Sequence, residues 1–303
     1  MQVTIFSGRA NPGLAESIAS ELKLGLGRCT VENFPDDEIR IEIEEDFREH
    51  DVYLVQSTSP PVAEHLLELL LLADACRRAG AGRITGVVPY FGYARQDRRA
   101  KGAEPVGARL AADLLAARLD RIIAVDLHNP AIEGFFSLPL EHLSAVPLLV
   151  ETLRPTLSGR EVVVAPDLGA VKLAQRYADL LELPIAYVHK ERFEGKTVGV
   201  RGIVGEVADR VPLLVDDMIS TGGTMVSAIR ALLDRNCRPR VTVVATHGLL
   251  VGEASANLAG LPVDKVLVTD SVSHGREPSL PIRIAGLGPL LADAVGRMSG
   301  IFP

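Results

Sequence analysis

Eight short runs rich in valine, isoleucine and leucine recur along the chain, separated by longer stretches with helical periodicity. Such runs are typical of strands buried on both faces of a parallel sheet, because a half-exposed strand would alternate apolar and polar residues. The runs are DVYLVQST, RITGVVPYFGY, RIIAVDLH, EVVVAPD, PIAYVHK, VPLLVDD, VTVVATHG and KVLVTDS. The stretches VAEHLLELLLLADACRRAGAG and LGAVKLAQRYADLLEL are predicted crossover helices. The sequence therefore predicts an α/β protein whose mainly parallel sheets are flanked by helices.

The length of 303 residues corresponds to about two domains of ~150 residues each. Pro139 and Pro147 bracket the segment SLPLEHLSAVPLL, after which a new series of predicted strands begins. We place a boundary near residue 141, which gives predicted domains at residues 1–141 and 142–303. The last few residues are expected to pack back on the first domain.

Composition excludes several classes of partner. With 32 Lys and Arg against 39 Asp and Glu, the formal net charge is −7, which argues against general affinity for nucleic acid or anionic membranes. Three cysteines without a CxxC pair are typical of free thiols in a reducing compartment. The most apolar stretch, LLELLLLADAC, is interrupted by Glu68 and Asp74 well short of a membrane span. We expect a cytoplasmic protein that binds small molecules, with no nucleic acid or membrane partner.

The segment VPLLVDDMISTGGTMVSAIRALLDRN carries the most chemistry. It is predicted to form a buried strand ending in Asp216 and Asp217, a short turn, and a helix that opens between Thr221 and Thr224. Glycines and free N–H groups at a helix start suit a phosphate, and acids at the carboxyl end of a strand suit sugar hydroxyls or a divalent cation. The pattern therefore favours a ribose phosphate. The alternative is that the acids cap the helix and STGG is a plain turn.

Two segments of the first half favour a nucleotide. The stretch YARQDRRAKGAEP is a dense group of Arg and Lys in an acidic protein and would attract a triphosphate, although a solvated basic loop is the alternative. In FPDDE, an exposed Phe34 followed by acids would stack on an adenine and contact its edge. A turn with a core Phe is the alternative there.

Two strand ends supply further polar groups. In DLH, period two places Asp126 and His128 on the same side of a strand. In HKERF, Lys190 and Arg192 lie on one face of an extended segment. The alternatives are a structural histidine and a solvated strand terminus.

Taken in order, these motifs resemble the ribose-phosphate diphosphokinase family, also called ribose-phosphate pyrophosphokinase or PRPP synthase, over essentially the whole chain. The 216–224 loop is also similar to that of type I phosphoribosyltransferases, which lack the first-half motifs. The resemblance implies two tandem type I phosphoribosyltransferase-like domains, the first with the ATP loop and the second with the ribose-5-phosphate loop. It implies Mg²⁺-dependent transfer of the β,γ-diphosphoryl group of ATP to the 1-hydroxyl of ribose 5-phosphate, which gives 5-phosphoribosyl 1-diphosphate (PRPP) and AMP.

The same resemblance implies roles for individual residues. The catalytic cations would be Lys190, Arg192, Arg95 and Arg99. The ATP contacts would be Phe34, Asp36, Glu38, Arg95, Gln96, Asp97 and His128. The metal ligands would be His128 and Asp167. The ribose-5-phosphate site would comprise Asp216, Asp217, Ser220, Thr221, Gly222, Gly223 and Thr224.

The resemblance also implies a homo-oligomer, with dimers assembling to a hexamer or a smaller form, because the adenine contacts come from a neighbouring subunit. The family pattern usually has Gly where this chain has Asp37, so the resemblance does not fix the backbone geometry there. Two alternatives for function stay open: a non-catalytic PRPP-synthase-like regulatory subunit, and a phosphoribosyltransferase.

Overall fold

The computed structural model describes residues 2–99, 101–192, 198–274 and 280–302, apart from the side chains of residues 190–192 and 198–201. Within these ranges no helix is long and apolar enough to cross a membrane. The strands are β1 (Val3–Ser7), β2 (Cys29–Asn33), β3 (Ile39–Ile43), β4 (Asp51–Val55), β5 (Arg83–Val88), β6 (Arg121–Val125), β7 (Leu140–Leu143), β8 (Glu161–Ala165), β9 (Ile185–Arg192), β10 (Val198–Val204), β11 (Val211–Ile219), β12 (Val241–Gly248), β13 (Val263–Thr269) and β14 (Ile282–Ala285).

The α-helices are α1 (Pro12–Glu21), α2 (Val62–Arg78), α3 (Gly107–Ala116), α4 (Val146–Leu153), α5 (Val171–Leu181), α6 (Gly223–Leu233), α7 (Ala254–Ala259) and α8 (Gly288–Ser299). Two 3-10 helices occupy Pro130–Phe135 and Arg154–Thr156.

The chain divides into two compact units. Unit 1 comprises Met1–Ser144, Ser271–Ser273 and Gly286–Pro303, and unit 2 comprises Ala145–Asp270 and His274–Ala285. The last helix, α8, thus belongs to unit 1, where it packs against α1.

Unit 1 contains a five-stranded parallel sheet in the order β1-β4-β5-β6-β7. Every residue of β4 is buried, as expected for a central strand covered on both faces. A separate antiparallel hairpin, β2 and β3, packs the apolar side chains Cys29, Val31, Ile41 and Ile43 against the core and exposes the polar residues between them.

Unit 2 contains a seven-stranded sheet in the order β10-β9-β8-β11-β12-β13-β14. All its pairings are parallel except that of β9 with β10. Its core holds the apolar side chains of β11, β12 and α6, among them Leu214, Val243 and Ile229. The predicted α/β class with mainly parallel sheets is therefore confirmed.

All eight predicted runs contain a strand, and both predicted crossover helices form, as α2 and α5. One local prediction is wrong. Strand β6 ends at Val125, and Asp126 has φ +37°, so the period-two alternation of a strand does not extend to His128.

Candidate active site

The turn between β11 and α6 in unit 2 has the form of an anion site. Gly222, immediately before the helix, has φ +75°, a left-handed conformation that L side chains rarely adopt. Helix α6 begins at Gly223, within the predicted 221–224 window, and no side chain of the described residues caps it. The first N–H groups of a helix have no intrahelical partner. Those of Gly223 and Thr224 are therefore available to an anion, and Ser220 and Thr221 add hydroxyls beside them.

The two acids of unit 2 lie inside β11, not at its end. Pairing of β11 with β8 stops at Leu214, whereas pairing with β12 continues through Asp216. The backbone N–H of Asp217 donates to Oδ1 of Asp216 at 2.9 Å. Because both acids precede the helix by several residues, the alternative that they cap it is wrong.

A third acid lies near this pair. Burial, the carboxylate of Asp217 and that of Asp167 together raise the pKa of Asp216 to about 8. Asp167 occupies the turn after β8, where its Oδ1 accepts from the N–H of Gly169 at 2.9 Å. The structure therefore brings Asp167 into the electrostatic neighbourhood of Asp216, a relationship that the sequence did not predict.

The described residues contain no group of three or more His, Cys, Asp or Glu side chains close enough to hold a metal by themselves. The two predicted metal ligands are found in different units, Asp167 in unit 2 and His128 in unit 1. Asp167, Asp216 and Asp217 nevertheless offer the hard oxygen atoms that Mg²⁺ prefers. Mg²⁺ commonly keeps several waters and uses one or two carboxylates together with substrate phosphates. The donor set of unit 2 therefore fits that ion.

In unit 1, the tip of the β2–β3 hairpin presents an exposed aromatic ring. Phe34 is 46% exposed, so the alternative of a core Phe is wrong. The N–H of Phe34 donates to the carbonyl of Glu38 at 2.8 Å, and the N–H of Asp37 donates to the carbonyl of Phe34 at 2.9 Å. Asp37 has φ +67°, the conformation for which Gly is usual and which Asp tolerates better than most residues. Asp36 and Glu38 are exposed on the same turn.

The turn end of this hairpin is held by a residue that the sequence did not single out. Nη1 of Arg9 donates to Oδ1 of Asn33, the residue before Phe34, at 2.7 Å. Nε of Arg9 donates to Glu68 at 2.6 Å, and Nη2 donates to Glu64 at 3.1 Å. Glu68 is fully buried. An acid inside the apolar stretch of α2 indicates that a cationic partner reaches it.

In the Arg95–Arg99 segment the two terminal arginines are exposed, whereas Gln96 and Asp97 between them make hydrogen bonds to residues outside the segment. Within the described part of the chain, neither Arg95 nor Arg99 has a carboxylate partner, so both are available to an anionic ligand. The N–H of Gln96 donates to the carbonyl of Tyr93 at 2.8 Å, and its carbonyl accepts from Ala108 at 3.2 Å. Oδ2 of Asp97 accepts from Nδ2 of Asn129 at 2.8 Å.

That last bond brings together two of the predicted ATP segments, because Asn129 follows His128. The imidazole of His128 is exposed. The N–H of the preceding Leu127 donates to Nε2 of His142 at 2.9 Å, and Nδ1 of His142 lies 2.6 Å from Glu133. Nε2 must be unprotonated to accept, so Nδ1 carries the proton and donates to Glu133.

Lys190 and Arg192 lie in the last residues of β9, where the backbone pairs Lys190 with Val200 and Arg192 with Val198 of β10. Their side chains lie outside the described residues. Their predicted catalytic role stays a prediction.

Comparisons with known proteins agree along the whole chain. A family model described as the N-terminal domain of ribose phosphate pyrophosphokinase matches residues 3–118, and one for the phosphoribosyl transferase domain matches residues 154–270. The ribose-phosphate pyrophosphokinase of Haemophilus influenzae is 42% identical over 303 residues, which cover 98% of this chain and 96% of that protein. That of Staphylococcus aureus strain N315 is 42% identical over 300 residues, covering 97% and 93%.

A crystal structure of phosphoribosylpyrophosphate synthetase from Mycobacterium smegmatis superposes with a TM-score of 0.92 at 34% identity and full coverage of both chains. Fold, motifs and relatives thus lead to one conclusion: this chain belongs to the ribose-phosphate pyrophosphokinase family.

Proposed function

We propose that this protein transfers the β,γ-diphosphoryl group of ATP to the 1-hydroxyl of ribose 5-phosphate, giving PRPP and AMP. The observation that carries the proposal is the relation to ribose-phosphate pyrophosphokinases, named for this activity, over 98% of the chain. In the reaction, the 1-hydroxyl of the sugar loses its proton to the solvent, and its oxygen forms a bond to the β-phosphorus. The bond from that phosphorus to the oxygen it shares with the α-phosphorus breaks, and AMP leaves.

Unit 2 holds the sugar in this proposal. The 5-phosphate binds the N–H groups of Gly223 and Thr224 and the neighbouring hydroxyls, where a helix N-terminus favours negative charge. The carboxyl groups of Asp216 and Asp217 accept hydrogen bonds from the ribose hydroxyls. Both contacts fix the orientation of the 1-hydroxyl, and orientation of the reactants is, with electrostatic stabilisation, one of the two main contributions that a protein makes to phosphoryl-type transfer.

Unit 1 supplies the ATP contacts. Phe34 stacks on the adenine, Asp36 and Glu38 face its edge, and the 95–99 segment and His128 contact the phosphates. The exposure of Phe34 and the absence of carboxylate partners for Arg95 and Arg99 within the described residues support these roles. Lys190, Arg192, Arg95 and Arg99 stabilise the charge that spreads over the transferred group.

Mg²⁺ completes the site in this proposal, with Asp167 and His128 as the predicted ligands. When bound, the ion neutralises charge on the ATP phosphates. Three carboxyl groups, Asp167, Asp216 and Asp217, support a cation in unit 2, because burial and the charges of Asp217 and Asp167 raise the pKa of Asp216.

We further propose a cytoplasmic homo-oligomer, with dimers building a hexamer or a smaller assembly, in which a neighbouring subunit supplies the hairpin tip to the adenine. Free Cys29, Cys76 and Cys237 support a reducing compartment. The predicted domains at residues 1–141 and 142–303 remain part of the proposal as its ATP and ribose-5-phosphate halves.

One experiment tests the activity. The purified protein is mixed with ATP, Mg²⁺ and ribose 5-phosphate, and AMP and PRPP are quantified. Formation of both in equal amounts supports the proposal. No AMP from the isolated protein, but stimulation of another ribose-phosphate pyrophosphokinase, would favour a regulatory subunit. Consumption of PRPP when a nucleobase is added, without AMP formation from ATP, would favour a phosphoribosyltransferase.

A further inference from the structure

Asn129 makes two side-chain hydrogen bonds that point in different directions. Its Oδ1 accepts from the N–H of Ala131 at 3.0 Å and so caps the 3-10 helix Pro130–Phe135. Its Nδ2 donates to Oδ2 of Asp97 at 2.8 Å, across 32 residues of sequence. Only one orientation of the amide satisfies both partners, because the oxygen accepts and the nitrogen donates. The cap therefore fixes the direction in which the amide nitrogen points.

The carboxylate of Asp97 depends on this donor. Its side chain is 14% exposed, and its other partner within the described residues is Nε of Arg98, 3.9 Å from Oδ1. The side chain of Arg98 is 85% exposed, so that ion pair is solvated and weak. The bond from Asn129 is the shorter and less exposed of the two.

The other hydrogen bonds of the 95–99 segment hold its backbone and do not involve the carboxylate of Asp97. Gln96 is bonded to Tyr93 through its N–H and to Ala108 through its carbonyl. These bonds fix the path of the chain on either side of Gln96, but they do not select a rotamer for Asp97.

We infer that Asn129 is a positioning residue of the ATP site, which fixes the carboxylate of Asp97 and ties the 95–99 segment to the turn that carries His128. The inference deepens the proposed function and rests on it, because both segments are ATP contacts only in that proposal. Asn129 acts through Asp97 and needs no contact with the substrate.

Two substitutions distinguish the hydrogen bond to Asp97 from the cap on the 3-10 helix. Asn129→Ser keeps an oxygen that accepts from Ala131, since Ser is among the best caps, but it is too short to reach Asp97. Asn129→Asp keeps the cap and sets a second carboxylate against Asp97. A matched control is Gln175→Ser on an exposed face of α5. It removes the 2.6 Å hydrogen bond that the side-chain amide of Gln175 donates to the carboxylate of Asp179.

Steady-state kinetics give the first readout. The KM for ATP rises roughly tenfold to a hundredfold in Asn129→Ser, the range for losing a hydrogen bond to a charged group, and at least as much in Asn129→Asp. The KM for ribose 5-phosphate stays within error, and Gln175→Ser changes neither KM. In an Asp97→Ala background, Asn129→Ser adds nothing further. A KM for ATP within twofold of the parent, or effects of Asn129→Ser and Asp97→Ala that multiply, would overturn the inference.

Amide hydrogen exchange of the ligand-free protein gives a readout that needs no activity. Asn129→Ser accelerates exchange in peptides covering residues 93–99, and Gln175→Ser does not. An unchanged exchange rate in residues 93–99 would show that Asn129 does not hold this segment. If the parent protein forms no AMP, the proposed function fails, and the exchange result still decides whether Asn129 holds the segment.

Discussion

The backbone N–H of Asp217 donates to the carboxyl of Asp216, although the two side chains repel each other when both are charged. Burial and the carboxylates of Asp217 and Asp167 raise the pKa of Asp216 to about 8, against about 4 in an unfolded chain. The folded state therefore binds a proton at this site more tightly than the unfolded state.

This pair predicts a pH dependence of stability. The contribution of Asp216 is fully present below pH ~4 and is lost as the pH rises towards 8, because the unfolded state then holds fewer protons than the folded one. In Asp216→Asn the contribution is absent, so the variant gains stability relative to the parent as the pH increases over this window. Urea unfolding of both proteins from pH 4.5 to 8.5 measures the difference. A difference that does not change with pH would contradict the assignment, and exposed Asp179→Asn serves as the control.

The ribose-phosphate turn predicts different outcomes for two adjacent glycines. Gly222→Ala forces an L side chain to φ +75°, which costs roughly 1 to 2 kcal/mol. A Cβ added at Gly223 would lie no closer to a neighbouring atom than 3.9 Å, the distance to Oγ1 of Thr221, and Gly223 has no positive φ. The fold therefore tolerates Gly223→Ala. Thermal unfolding distinguishes the two variants. Both reduce affinity for ribose 5-phosphate, measured by calorimetry, because each adds a methyl group where the phosphate binds. Equal melting temperatures would show that the left-handed turn is not required.

Phe34→Ala is expected to impair ATP use without affecting the fold. The ring is 46% exposed, so its removal changes stability little. Stacking of a base on an aromatic ring is worth about 1 to 3 kcal/mol, which corresponds to a roughly fivefold to 150-fold higher KM for ATP. Leu180→Ala, which also truncates an exposed apolar side chain, is the control and should leave the KM unchanged. An unaltered KM for ATP in Phe34→Ala would remove Phe34 from the site.

Arg9→Met should destabilise unit 1, because it leaves the buried carboxylate of Glu68 without its cation. We expect a loss of about 2 to 3 kcal/mol, since the N–H of residue 9 and the amide of Gln56 still donate to Glu68. The double variant Arg9→Met with Glu68→Gln removes the charge and should recover part of the loss. Urea unfolding of the single and double variants measures it, and strictly additive effects would argue that the pair is not coupled.

Lys190→Ala should lower kcat by roughly 10² to 10³ if this residue stabilises the transferred charge. Exposed Lys172→Ala on α5 is the matched loss of one positive charge and should keep the parent kcat. Rapid-quench measurement of AMP formation reports the chemical step. Normal turnover in Lys190→Ala would exclude the role.

The strands buried on both faces could be predicted from sequence because their residues are apolar throughout, as in β4 and β8. Shorter elements escaped. Strand β7, with sequence LEHL, is partly exposed along its length and carries a Glu and a His, so it read as part of a domain boundary. Strand β3, with sequence IRIEI, does alternate apolar and charged residues and offered a usable signal for a half-exposed strand.

The candidate site divides in the same way. The 216–224 loop is local: a strand, a glycine turn and a helix follow one another, so spacing alone indicates an anion site. Asn129 with Asp97 and Arg9 with Asn33 are pairs whose partners lie 32 and 24 residues apart. The packing of the elements decides which side chains form such pairs, so periodicity along the sequence does not predict them.

The return of α8 to unit 1 has a consequence for the order of synthesis. Gly288 in α8 approaches Ser17 in α1 so closely that a Cβ there would lie 2.0 Å from the hydroxyl oxygen. At elongation speeds of about 5 to 20 residues per second, the ribosome needs roughly 7 to 30 s to make the residues that separate Ser144 from Gly286. During that interval the surface of α1 that receives α8 is uncovered, while almost all of unit 2 is being synthesised. The half of the protein that is translated first is therefore the half that is finished last.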